Sequence, residues 1–321
     1  MPQGFIRTSL LLLFVISFSG SPCLALERKD SGALSHYIMG LFYDNLGDSG
    51  LAVKEYEKAL SLDRDNYLAH FNLAVTLVKN NNLSQARKEL DLSVSLNPDA
   101  AEPHALLAIL NLAQGNWDLA AKEYEAALKS ALKLNPKNIE IYKSLGALYA
   151  RQGNNKEAEN AYRVVSELAP YDPEAHFYLG VVYSGMKNNL LMKEELKKAI
   201  SLNPDYAEAL NFLGYSYVDE GRNLKEAEKL ISKALDIDPD NGAYLDSLGW
   251  LYFKRGRLRE AKETLIRAVS LMPDPVIFDH LGDVYFKLKD LESARVNWRE
   301  SLKFDPDQDE VKSKLKNLRK Q

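Results

Sequence analysis

The sequence predicts an all-α fold, a solenoid of stacked helix–turn–helix repeats closed at its C-terminus by a capping helix. Three observations predict it. A Leu-Gly pair or a close variant recurs at Met39-Gly40, Leu73-Ala74, Leu107-Ala108, Leu145-Gly146, Leu179-Gly180, Leu213-Gly214, Leu248-Gly249 and Leu281-Gly282, in steps of 34, 34, 38, 34, 34, 35 and 33 residues. Within each step apolar residues return every three or four positions on both sides of a polar break, the period of two amphipathic helices. From the second unit on a proline ends the repeat, at Pro98, Pro136, Pro170, Pro204, Pro239, Pro273 and Pro306. Its ring clashes with the preceding helical turn, and it has no N–H to give.

The elements follow in order. Arg7 precedes an apolar run, Leu10 to Phe18, after which come small residues and Pro22. That is the layout of a secretory signal, and the run is about half the ~20 residues of a spanning helix. Residues 1–25 are read as the signal, cut after Ala25 of Cys23-Leu-Ala25, and 26–32 as a polar linker. The alternative acylates Cys23 and makes an outer-membrane lipoprotein, although Ser19-Gly-Ser-Pro22 is a poor match to the aliphatic-then-small pattern such signals use. Cleavage after Ala25 removes the chain's one cysteine, which suits an oxidising compartment.

Eight repeats are then read at 33–66, 67–100, 101–138, 139–172, 173–206, 207–241, 242–274 and 275–308. The small residue of each pair, and a second one at Ala52, Ala86, Ala120, Ala158, Ala227, Ala261 and Ala294, lets helix axes approach to ~8–10 Å. A ring three residues after the pair (Tyr43, Tyr149, Tyr183, Tyr217, Tyr252, Tyr285) fills the space beside that crossing. Gly47, Gly115, Gly153, Gly221 and Gly256 mark the turns between helices. Two departures carry expectations: extra residues in Leu128–Leu134 lengthen the second helix of repeat three, and the missing turn glycine with Met192 in place of Ala loosens repeat five. Residues 309–321 place Val311, Leu315 and Leu318 on one face, the pattern of the cap a solenoid needs.

This spacing resembles the tetratricopeptide repeat (TPR) family from Ala33 to about Gln308. The resemblance implies a right-handed superhelix whose first helices line a concave groove. The positions that would face a partner there are Tyr37, Phe71, Asn72, Lys143, Phe177, Tyr178, Phe212, Tyr215, Asp219, Asp246, Trp250, Asp279 and Asp283, an aromatic surface with an acidic C-terminal half. Binding is expected to concentrate in repeats five to seven, with Trp250 as an aromatic anchor facing the groove. The Lys/Asn clamp by which some TPR modules hold a terminal carboxylate is not present, since Ala147 stands four residues after Lys143. Ala209–Asp219, Leu245–Tyr252, Pro273–Pro275 and His280-Leu-Gly-Asp283 through Trp298 are similar to the last repeats of bacterial envelope TPR proteins. Some of those are lipoproteins that hold a carboxyl-terminal processing protease.

Composition excludes other classes. Lys and Arg number 41 against 45 Asp and Glu, a net charge of −4, so there is no broad positive field for nucleic acid. One cysteine excludes an intramolecular disulfide and a thiolate metal cluster. His36, His70, His104 and His176 share one repeat position. Neighbouring copies of a position lie ~10 Å apart or more, too far to share a metal whose ligands sit at ~2 Å. Asp236, Asp238 and Asp240 lack the Gly and Glu of a calcium loop, with Asn241 and Ser247 in those places. No phosphate loop, dinucleotide fingerprint, zincin or nucleophile-elbow motif occurs.

These readings give a non-catalytic scaffold of the bacterial cell envelope, periplasmic or held at the outer membrane through Cys23. No cofactor and no metal are expected. The partner is a protein or peptide, with an envelope protease or a secretion or assembly complex as the class the resemblance suggests. The alternative is a glycan-binding or polysaccharide-export accessory component, because exposed rings also stack on sugars.

Overall fold

A computed structural model describes residues 31–318. The signal, the linker up to Asp30 and Cys23 lie outside the described residues, as do the last three residues of the expected cap. The described chain is helical throughout, with seventeen helices and no strand among the described residues. It divides into two compact units, residues 31–169 and 170–318.

The first unit comprises α1 (Ser31–Asn45), α2 (Ser49–Leu62), α3 (Tyr67–Lys79), α4 (Leu83–Leu96), α5 (Ala101–Ala113), α6 (Trp117–Leu134), α7 (Ile139–Arg151) and α8 (Asn155–Leu168). The second comprises α9 (Pro173–Gly185), α10 (Asn189–Leu202), α11 (Ala207–Asp219), α12 (Leu224–Ile237), α13 (Gly242–Lys254), α14 (Leu258–Leu271), α15 (Pro275–Lys287), α16 (Leu291–Phe304) and α17 (Asp309–Leu318). Odd and even helices pair as antiparallel hairpins, and within each unit successive hairpins stack.

Each hairpin is built on one crossing. The small residue of the Leu-Gly pair lies against a large side chain of the following helix. A Cβ at Gly146 would come within 2.7 Å of the Tyr162 ring, and one at Gly249 within 2.6 Å of Leu265. Tyr56 fills the same place opposite Gly40, and Trp298 opposite Gly282. Tyr56, Tyr162, Leu196, Ile231 and Leu265 are consequently among the most buried side chains of the chain. Closeness of the backbones and size of the opposing side chain are thus one design, and each is useless without the other.

The turn between paired helices needs one residue in the left-handed region. Gly47, Gly115, Gly153, Gly221 and Gly256 supply it, and Asn81, Lys187 and Lys289 take the same conformation, Lys187 at φ 59°. Glycine is the cheapest residue there, but repeat five makes the turn without it. Its packing is not loosened: Met192 is buried and Leu196 and Ala199 are fully buried, with the Leu196 side chain 3.0 Å from where a Gly180 Cβ would sit. The unbranched methionine fills the gap that an alanine would leave. The lengthened helix of repeat three is α6, with 18 residues, and its last residue Leu134 is 86% exposed.

α17 covers the end of the second unit. Val311 and Leu318 are buried against Ala294 and Trp298, with Leu315 packed beside them. Among the described residues no helix is long and apolar enough to cross a membrane.

Candidate functional site

The first helices of neighbouring repeats touch within each unit, α1 with α3, α11 with α13 and α13 with α15. Their outer face carries the residues singled out above. Numbered from the Leu or Met of each pair, these fall mostly two residues before it or two after it, one helical turn apart. In this structure they are largely occupied from within the chain. The residue just before the Leu on the next first helix reaches back to them.

The rule repeats with different chemistry. In the first unit Asn72 Nδ2 donates to the Tyr37 hydroxyl at 2.9 Å, so two of the expected contact residues satisfy each other. Phe71 is half-buried against the core formed around Leu73 and Leu77, and Lys143 is half-buried on α7. In the second unit Phe212 packs on Phe177, ring centroids 6.4 Å apart, and Phe177 also meets Tyr178 at 5.3 Å and Tyr206 at 5.1 Å. These rings meet tilted or edge-on, the arrangement that aromatic quadrupoles favour.

Further along, His280 reaches back to α13. Its Nδ1 lies 2.8 Å from Asp246 Oδ1, and its ring stacks on Trp250 with centroids 4.0 Å apart. Phe253 stacks on the other side at 4.6 Å, and the Lys254 ammonium sits 5.0 Å from the Trp250 centroid. Trp250 is only 9% exposed, and its Nε1 has no hydrogen-bond partner. The expectation of an exposed anchor at Trp250 is therefore corrected: it is a sandwiched core ring. Asp246 is likewise buried and spent on His280. Burial works against charge on His280, but Asp246, with Asp279 and Asp283 beyond it, outweighs this and raises its pKa.

At the C-terminal end Lys314 of α17 takes the same role. Its Nζ lies 2.7 Å from Asp279 Oδ1 and 2.8 Å from Asp283 Oδ2, while Asp283 also accepts from Trp298 Nε1 at 3.1 Å. Burial, with Asp283 beside it, holds Asp279 above the usual carboxylate range although Lys314 pulls the other way. Three of the four carboxylates of the acidic half expected from the sequence are thus paired within the chain, Asp246 with His280 and Asp279 and Asp283 with Lys314, and Asp219 is not. Neither His280 nor Lys314 stands out in the sequence.

The rung at α11 is different. There the residue of α13 that would reach back is Ser247, which is short and bonds Ala243 O instead. Asn211 Oδ1 is left without a partner, Tyr215 is half-buried, and Asp219 is exposed. Burial and then the carboxylates of Asp246, Asp219 and Asp279 push the Tyr215 phenol well above its ordinary range, which keeps it a neutral donor.

The four equivalent histidines form a separate ladder on the hairpins. His36, His70, His104 and His176 each place Nδ1 2.6–2.7 Å from a carboxylate of the paired helix, Glu55, Glu89, Glu123 and Glu195. His70 Nε2 also meets Arg64 O at 3.0 Å, and His104 Nε2 meets Pro98 O at 3.2 Å. Acceptors face both nitrogens of these two rings, so each ring ties its paired helix to the preceding turn. Burial opposes charge on the His70 ring, but Glu89 and the Arg64 carbonyl hold it above its ordinary pKa, and it can donate to both as an imidazolium. Each of the four is tied to its own glutamate, and no group of three His, Cys, Asp or Glu suited to a metal occurs among the described residues. Near the would-be calcium loop, Arg267 takes Asp240 at 2.6 Å and Asn241 takes Asp238 at 3.0 Å.

Residues 102–318 match the family model described as the Cilia and flagella-associated protein 70 C-terminal domain, and residues 46–110 match a tetratricopeptide repeat model. No curated protein matches the chain. Among solved structures, a tetratricopeptide repeat protein from Parabacteroides merdae aligns over 90% of this chain and 99% of its own, at 16% identity and a TM-score of 0.52. A thermophilic one from Thermus thermophilus aligns over 57% of this chain and 100% of its own, at 19% identity and a TM-score of 0.50. A chain of the APC/C hetero-tetramer Cut9–Hcn1 aligns over 83% of this chain, at 19% identity and a TM-score of 0.59, and the present chain spans 52% of its length. Tetratricopeptide repeat proteins generally mediate protein–protein interaction, on a scaffold that is typically non-catalytic. With residues 102–318 matched, the chain belongs to the tetratricopeptide-repeat family of the cilia and flagella-associated protein 70 C-terminal domain.

Proposed function

We propose that the protein is a non-catalytic adaptor exported to the bacterial cell envelope, which holds a protein or peptide partner against the first-helix face of residues 170–318. The observation that carries this is the incomplete rung at α11. Tyr178, Phe212 and Tyr215 keep part of their surface open, Asp219 is exposed one turn on from Tyr215 without an ion pair among the described residues, and beneath them the buried Asn211 Oδ1 has no hydrogen-bond partner. Rings with an apolar body and a polar tip, next to a free carboxylate, suit a peptide that brings one apolar and one basic side chain. The partner class is an envelope protease or a secretion or assembly complex, on the likeness of the last three repeats. Export rests on the signal layout of residues 1–25. No observation favours the glycan reading over the peptide one.

The test uses a partner recovered by crosslinking in the envelope fraction. Tyr215→Ala with Asp219→Lys lowers its affinity by ~2 kcal/mol or more, roughly thirtyfold, with an unchanged melting curve. Unchanged affinity refutes the site. Intact mass decides export: a chain starting at Leu26 supports cleavage, and an acylated Cys23 N-terminus supports the lipoprotein form.

A further inference from the structure

α1 has no helix before it among the described residues. Its Ile38, Met39, Phe42 and Leu46 are 53, 36, 52 and 65% exposed. Spaced by three and four residues, they form one apolar stripe along the helix. The chain's own repeats show how two places of this stripe, those of Met39 and Phe42, are normally covered, while the place of Leu46 is exposed there too, as Asn80 and Gln114. Leu73 and Leu107, in the place of Met39, are 2 and 3% exposed, and Thr76 and Leu110, in the place of Phe42, are 0 and 4%. There the preceding hairpin packs over them, α2 against α3 and α4 against α5. α1 presents these two places uncovered.

We propose that two copies of the chain pair through this stripe, α1 antiparallel to α1, about a twofold axis at Phe42. The pairing puts Ile38 of one copy beside Leu46 of the other. Charge favours a second copy over a charged partner: the stripe bears none, and the ionisable neighbours are turned inward, His36 to Glu55 and Asp44 to Lys79 and Thr76. Self-pairing therefore opposes no like charges. The inference rests on the processing proposed above. After that cut Leu26–Asp30 precedes α1, four of its five residues are charged, and even extended it reaches only ~17 Å. It is poor material for an apolar cover.

The four exposed side chains offer roughly 400 Å² per copy, the size of patch that marks an interaction site on a monomer. Two copies bury at most about 800 Å² from these residues and more with the flanking Leu34 and Leu51, below the ~1,200 Å² of stable specific interfaces and in the range of weak, transient ones. A reversible, concentration-dependent dimer follows.

Sedimentation of the exported chain from about 1 to 100 μM shows a monomer–dimer shift, and Phe42→Glu with Ile38→Glu abolishes it at an unchanged melting temperature. Phe42→Cys, at the axis and without a second cysteine once the cut after Ala25 has removed Cys23, crosslinks to a single dimeric product under mild oxidation. A wild-type monomer at 100 μM overturns the proposal, whatever else covers α1, and so does a dimer that survives both glutamates. Intact mass on the same sample separates the two readings: retained residues 1–25 contradict the processing alone, while dependence on Phe42 decides the pairing.

Discussion

Gly282→Ala tests the crossing on which every hairpin is built. Its new Cβ would lie 2.5 Å from both Cδ1 and Nε1 of Trp298 and 3.1 Å from Cε2. The ring has little room to retreat. It is 2% exposed, tied through Nε1 to Asp283, and packed on Phe286 and the cap residues Val311 and Leu318. Overpacking of a well-filled core costs ~1–3 kcal/mol, and a pinned ring belongs at the upper end. Replacing a mid-helix glycine by alanine returns ~1 kcal/mol through helix propensity. The net expectation is a loss of about 1–2 kcal/mol in urea unfolding. Gly50→Ala supplies the opposite sign, because its nearest neighbour is Asp48 Oδ1 at 3.6 Å and only the propensity gain remains. The chain also suggests the rescue. Repeat two sets Ala74 against Leu90, both fully buried, so Trp298→Leu should cost less in the Gly282→Ala background than alone, a coupling a double-mutant cycle measures. A Gly282→Ala protein as stable as wild type, or additive costs in the double variant, would refute the crossing as the organising contact.

Three further outcomes follow. His70 has its pKa raised: burial opposes the charge, but Glu89 and the Arg64 carbonyl more than compensate. The clamp therefore stabilises fully below the ordinary ~6.5 and is lost as pH rises through the higher folded value, so the melting temperature falls over that window and His70→Gln flattens the slope; a slope unchanged in His70→Gln would contradict the imidazolium assignment. Trp250→Ala removes a ring stacked on both faces and costs ~3–5 kcal/mol of stability. Circular dichroism melting measures that loss, and an unchanged melt would return Trp250 to the surface. Truncation after Gln308 uncovers Trp298 and Ala294 and releases Asp279 and Asp283 from Lys314; size-exclusion chromatography should show self-association, and a monomer with wild-type melting would show that α17 is not a cap.

The fold was legible because its determinants are local and repeated. The pair at Leu145-Gly146 and the turn at Gly153 lie within one repeat, where spacing alone exposes them, whereas the ring that packs against Gly146 is Tyr162 of the second helix and not the expected Tyr149. Repeat five shows the margin of such reading, since Lys187 adopts the left-handed turn and Met192 packs as well as the usual alanine. The site was less legible for a physical reason. Whether a first-helix residue is open depends on one residue a full repeat away, as in Tyr37 with Asn72 and Asp279 with Lys314, each 35 residues apart, and Asp246 with His280, 34 apart. Aromatic and acidic residues looked free when counted along their own helices. His280 escaped notice because it stands outside the column of four equivalent histidines, although the 34-residue spacing to Asp246 was there to find.

The central claim is that partners bind the first-helix face of residues 170–318 at the rung the chain leaves unfilled. Site-specific photocrosslinking in cells tests it most directly, with the crosslinker placed in turn at Tyr215 and at Leu190, an exposed residue of a second helix. The account predicts a discrete adduct of one partner from position 215, lost with Asp219→Lys, and none from position 190. Adducts from position 190 alone, or an adduct at 215 indifferent to Asp219, would contradict it.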